Sequence, residues 1–390
     1  RLLRPQPAGP RRHATTPPAL PRRLHRTMRG KLLTPLRIAL LVALGLGALR
    51  VDDAVRVQDW SWLHLSDVRA MDYRLLQRGP VAPTGHVVIV AIDDASVDGV
   101  GRWPWPRTMF ARLLDRITAA QPLAVGIDVT FSEPSAIVET PLRQARPAGA
   151  SVEDWETTQA VLAAQDEELA AALKRSGRTV LGFFFDDLAT GRLAPAKLPQ
   201  DDLRFAAYGL VSGALGSSGA RHVWRADGVS ASLPVFAAAS RTMAHFNVTP
   251  DTGDGFVRRL PLVIGHGDRW AAPLSLATVR TALGNPLLRL GFADYGVASI
   301  RLGDTPIPVA EDGRLLVNYR GPGETIPHVS AIDLLEGRAG AAELAGKVVF
   351  VGVTATAVAD FRVTPFSEMF PGVEIHANVA DNILAGDFLH

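Results

Sequence analysis

Carboxylates gather where apolar runs stop. Asp93 and Asp94 close the run Val87–Ile92, Asp128 and Glu133 close a second across residues 123–129, and Asp186-Asp187 follow a third, Thr179–Phe185. Acids placed this way can supply oxygen ligands to a hard cation. They can equally hydrogen-bond a polar ligand in the crevice where open α/β sheets bind. The bland alternative is structural: Asp93 or Asp94 caps the amides of the following turn, and Asp128 pairs with Arg102 or Arg107. Between the first two runs stands Trp103-Pro104-Trp105-Pro106-Arg107. Its stiff tryptophans suit either the wall of a pocket or a lock that fixes a helix start, with Pro106 a good first helical residue. Further along, Asn247, Asp360 and His376 join the candidates. Asp360, with Thr364 and Glu368, lies on a loop after a strand. His376 lies two residues from Glu374, a spacing that cannot share one helical face well, so it reads as a buried hydrogen-bonded histidine or an isolated ligand.

The elements that must position these residues follow from apolar periodicity. Val87–Ile92 is β-branched and apolar on both faces, as buried parallel strands are. Phe110, Leu113, Leu114 and Ile117 recur at helical spacing, and a second apolar run comes after them, giving a βαβ unit. Its right-handed crossover sets both carboxyl ends on one edge. Residues 166–175 have acids first and bases last, as a helix dipole favours, before the strand Thr179–Phe185. Residues 188–235 are loop-rich. Met243–Val248 and Phe256–Ile264 read as the arms of a β-hairpin around Asp251–Gly255. A helix over 272–283, a strand over 314–319, a helix over 329–335, an apolar strand over 347–353 and a helix over 372–387 complete the pattern, the last with Ile375, Val379 and Ile383 on one face. The expected fold is α/β, a three-layer α/β/α arrangement with a mostly parallel central sheet and a β-hairpin insertion.

Composition bounds the function. The chain has 390 residues and no cysteine, which removes disulfides, thiolate metal sites and cysteine nucleophiles. Of 41 Lys/Arg, ten lie in residues 1–37, where there is no acid, leaving 31 bases against 39 acids and a net −8 beyond. A basic leader on an acidic body points away from nucleic acid and toward a membrane-proximal tail. Residues 1–31 read as a disordered leader, and residues 32–51 as one N-terminal transmembrane helix or a signal segment whose preceding bases keep the N-terminus cytoplasmic. Residues 52–79 then suit a helix leaving the membrane with Trp60 and Trp62 near the interface. No HExxH, GxSxG or GxGxxG pattern is present, and no cofactor is expected.

VVIVAIDD, GRWPWPR and AVGIDVTFSEP, with NYRGP, GKVVFVGVTA, TPF and PGVEIHANVADNIL later in the chain, resemble a CHASE type-2 domain over residues 52–390. Asp72-Tyr73-Arg74, Phe246-Asn247, Asp254-Gly255 and Arg258-Arg259 match the same family, whereas Pro273-Leu274-Ser275-Leu276 departs slightly from its usual phrase. The resemblance implies the extracytoplasmic sensor of a bacterial receptor in the inner membrane, without catalysis of its own. Its output would be an adenylate or guanylate cyclase, a histidine kinase or a serine/threonine kinase beyond this chain. The expected partners are an unknown extracytoplasmic ligand, the membrane and a second copy in a homodimer. The competing readings are an exported metal-dependent hydrolase using Asp93, Asp128 and Glu133, and a dimerisation scaffold without a small ligand.

Overall fold

The computed structural model describes residues 39–45, 47, 61–135, 152–190, 204–213, 218–251 and 253–389. The leader 1–31 and much of the segment 32–51 lie outside the described residues. Residues 39–45 are helical, and no helix among the described residues is long and apolar enough to cross a membrane. The chain divides into two compact units, residues 1–64 and 65–390. The second contains the central sheet and its covering helices.

Six strands run parallel. In chain order they are β1 (Val87–Ile92), β2 (Ala124–Ile127), β3 (Thr179–Asp186), β5 (Thr242–His245), β6 (His328–Ser330) and β7 (Val348–Val353), and β4 (Gly228–Ser230) is antiparallel. Across the sheet the order is β6-β1-β7-β2-β3-β5, and β4 pairs with the far end of β3. β1 sits between β6 and β7 and is buried at every position. That explains its lack of apolar alternation: both faces need cover. Val87, Ile89 and Ala91 join one core, and Val88, Val90 and Ile92 the other. The first core packs against α5 (Leu274–Ala282) and α7 (Gly372–Ala385). The second packs against α3 (Arg107–Ala119), α4 (Val152–Ser176) and α6 (Ala331–Glu336). This is the expected sheet covered on both faces. The chain also forms α1 (Ser61–Arg78), ahead of β1, and α2 (Asp94–Val100), which leaves the end of β1.

Two features differ from the sequence reading. The β-hairpin of Met243–Val248 with Phe256–Ile264 does not form. β5 joins the central sheet beside β3, with Val180 opposite Thr242 and Phe183 opposite His245. The segment Arg259–Pro261 pairs with Arg314–Leu316 instead. Burial is the reason: Met243, Ala244 and His245 are all buried, which an exposed hairpin arm would not allow. A small hairpin does occur later, Ile264–His266 with Arg269–Ala271. The second difference is a four-stranded sheet of Leu210–Ser212, Leu288–Ala293, Gly296–Leu302 and Thr305–Ile307. Its register shifts at Gly291–Phe292 and breaks the alternation that would announce a strand.

Candidate functional site

Parallel β1, β2 and β3 place the acids that end them on one edge, but the structure gives these acids different work. Asp93 caps α2: its Oδ1 accepts the Ser96 N–H at 2.8 Å, the Ser96 hydroxyl at 2.5 Å and the Ser330 hydroxyl at 2.8 Å. Asp94 accepts the amide and hydroxyl of Thr356, both at 2.9 Å, and so ties down the loop after β7. Asp186 accepts the Ser230 hydroxyl at 2.9 Å. Glu133 has an exposed side chain, and only its backbone carbonyl meets the site, accepting Arg107 Nη2 at 3.0 Å. Asn247 is structural as well. Its amide accepts the Phe185 N–H and donates to the Phe185 carbonyl, each at 2.9 Å, standing in for a neighbouring strand.

Asp128 is different. No side-chain hydrogen bond or ion pair engages its carboxyl among the described residues, and neither Arg102 nor Arg107 pairs with it. It lines a pocket of about 330 Å³ at the carboxyl edge of the sheet, within the size range of small-molecule sites. Trp103, Trp105, Arg107, Phe131, Phe246 and Asp360 share the lining, with Thr130 and the first residues of α7, Gly372 and Val373. Four of the residues singled out from sequence, Trp103, Arg107, Asp128 and Asp360, therefore meet in one cavity. Burial pushes the Asp128 carboxyl up to about 7, the nearby Asp360 pushes the same way, and Arg362 opposes. Asp360 itself is exposed and paired with Arg362 at 2.5 Å.

The remaining wall is rigid. Trp105 is buried and donates its indole N–H to the Gly101 carbonyl at 3.0 Å. Trp103 meets it edge-on, 5.8 Å between centroids, and leans on Phe110. The tryptophans thus do both jobs that their stiffness suits: they fix the start of α3 and they face the cavity. The guanidinium of Arg107 lies 4.6 Å from the Phe131 centroid and 3.5 Å from Asp166, so its charge is already matched. Thr130 adds a hydroxyl that is buried without a hydrogen-bond partner.

His376 lies beneath this pocket rather than in its lining. Nε2 reaches the Phe246 carbonyl at 3.2 Å, and burial brings the ring's pKa down to about 4, so it stays neutral. His245 beside it is also fully buried and pushed well below the usual range, by burial first and by His376 second. Among the described residues no group of three or more His, Cys, Asp or Glu side chains could hold a metal ion. The dispersal of Asp93, Asp128 and Glu133 into a cap, a pocket wall and an exposed turn gives the hydrolase reading no geometry.

Sequence reasoning gave no role to Glu374. It is fully buried in the first turn of α7, where burial raises its carboxyl to about 7 while the amides of Glu324 and Ile326, at 3.0 and 3.4 Å, work against that rise. Nor did it reach the polar seam along α7. Asn378 accepts the Arg320 N–H at 2.8 Å; one turn on, Asn382 accepts the Asn318 N–H at 3.0 Å and donates to its carbonyl at 2.9 Å. Arg320 pairs with Asp381 at 2.6 Å, and Arg78 of α1 donates to the Asn318 side chain and to the Tyr319 carbonyl. The i, i+4 spacing of Asn378 and Asn382 was the available signal.

An open, mostly parallel α/β sheet with a cavity at its carboxyl edge belongs to the class of folds that bind ligands at that edge. The CHASE2 domain family matches residues 38–390, nearly the whole chain, and the chain belongs to that family. CHASE2 domains are extracellular sensory domains and not catalytic ones. Neither the curated proteins nor the solved structures give a match.

Proposed function

We propose that this chain is the extracytoplasmic sensory domain of a bacterial transmembrane receptor, held at the inner membrane through residues 32–51, and that the pocket around Asp128 is where it reads its signal. The observation that carries this reading is the composition of the wall. The exit of β2, the Trp103–Arg107 segment and the first residues of α7 enclose one cavity, so an occupant touches the last helix directly. A ligand shifts a conformational balance only by its preference for one arrangement, and contact with Gly372 and Val373 supplies that preference. The change would pass along α7 toward an output module of the cyclase or kinase kind. A homodimer is the natural assembly for such a receptor.

Two measurements test the reading. Alkaline phosphatase fused after residue 389 of the full chain should be active in intact cells; activity confined to lysed cells would remove the extracytoplasmic placement. A thermal-shift screen of small metabolites should find stabilisers of the full chain that Val358→Trp, a bulky change at an exposed residue of the pocket wall, no longer responds to. Stabilisers equally effective on that variant would place the site elsewhere.

A further inference from the structure

We propose that the occupant of this pocket is a small organic cation, a protonated amine or quaternary ammonium, held between the Asp128 carboxylate and the face of Trp103. The inference rests on the sensory reading of the pocket given above.

Charge argues for it. Asp128 and Asp360 both line the cavity, and the single lining cation among the described residues, Arg107, is matched by Asp166 at 3.5 Å and by the Glu133 carbonyl at 3.0 Å. Arg362 is drawn to Asp360. Among the described residues of the wall, the charge left without a partner is therefore the Asp128 carboxyl, beside one buried acceptor, the Thr130 hydroxyl. A guest that brings positive charge relieves the repulsion between the two carboxylates, and an anion adds to it. The Asp128 carboxyl is raised first by its burial, and the nearby Asp360 adds to the rise.

The lining chooses an organic cation over a metal ion. No cluster of metal-ligating side chains exists among the described residues. Aromatic and aliphatic groups, Trp103, Phe246, Val129 and Val353 among them, make up much of the wall. Trp103 is half-buried and lines the cavity, so part of its indole is open to a guest. Attraction between a cation and an indole face is the strongest of its kind among aromatic side chains. The face of Phe131, by contrast, is already covered by Arg107.

The test uses choline and its uncharged isostere 3,3-dimethylbutan-1-ol, with butylamine as a primary amine and acetate as an anion, titrated calorimetrically into the full chain. Choline or butylamine should bind roughly tenfold or more tightly than the neutral isostere. Asp128→Asn should abolish that charge preference, and Trp103→Leu should weaken choline more than the isostere. Equal binding of choline and the isostere, tighter binding of acetate, or no cation binding at millimolar concentration overturns the proposal. In the first two cases, loss of the observed binding in Val358→Trp would leave the pocket standing as the sensory site with a different ligand.

Discussion

The Asp128 carboxyl titrates at about 7 because burial and Asp360 both oppose its charge more than Arg362 favours it. The groups facing it are Arg107 from α3, Asp360 from the loop after β7 and Arg362 from the short strand Phe361–Arg362 that follows. With its carboxyl at about 7, Asp128 changes charge near neutrality. Choline affinity should therefore fall severalfold as pH drops through this range, and the calorimetric pH profile of Asp128→Asn should be flat. Glu374 makes a second, separate prediction. Its folded pKa of about 7 lies above the ordinary carboxylate value, so its contribution to stability is present in acid and is lost as pH rises through 7. The shift corresponds to about 3 kcal/mol at most. Urea denaturation of Glu374→Gln should show a weaker decline between pH 5 and pH 8, a span that covers about that titration, than the parent protein. Equal slopes would mean that Glu374 is not buried in the way described. Asp128 was legible from sequence because it ends an apolar run. Glu374 was not, since a glutamate in a first helical turn reads as an exposed capping residue until the whole helix proves buried.

At the scale of elements, Gly352 sets how closely α7 approaches β7. A Cβ built there would lie 2.6 Å from the Val373 Cβ, an atom fixed by its own backbone. Gly352→Ala should push the start of α7 outward, at a cost of about 1–3 kcal/mol. Because Val373 lines the pocket, the same substitution should weaken ligand binding; a variant with full stability and unchanged thermal-shift response would contradict this geometry. The sequence made β1, α3 and β7 readable through unbroken apolar runs and helical spacing. It misread β5 because Thr242–His245 and the segment after the Asp251–Gly255 turn are neighbours in sequence yet join different sheets. No local pattern encodes that choice; it comes from the burial that β3 offers. The last helix was read as one-faced from Ile375, Val379 and Ile383, whereas its polar residues Asn378, Asp381 and Asn382 are buried too. Each of them serves the backbone or side chains of residues 318–320 or Thr84.

Across the whole domain, α1 is held by charge as well as by the burial of Val68 and Leu75. Arg258 is almost fully buried and forms paired hydrogen bonds with Asp72 of α1, at 2.8 and 2.7 Å, and with Asp254, at 2.9 and 2.7 Å. Burial alone would lower its pKa, and these bonds more than reverse that. Asp251 is shared by Arg259 and Arg314 at 3.2 and 3.0 Å. Replacing Arg258 with alanine would strip the half-buried Asp72 and Asp254 of their shared partner beside the buried Asp251, and equilibrium unfolding should show a loss of about 3–5 kcal/mol. Asp72→Asn keeps Asp254 in place and should lose less, about 1.5–3 kcal/mol. The reverse ranking would show that α1, and not the turn, is what Arg258 secures.

Residues 318–320 touch both Arg78, in the final turn of α1, and Asp381 and Asn382 near the close of α7. Those three residues work as a yoke: the two helices are harnessed to a common crossbar rather than to each other. Spin labels at exposed Tyr73 and Ala385 should accordingly keep a fixed spacing, whatever happens at the tryptophan wall. A tug on either helix would swing the pair together, in the manner of two oars on one lock.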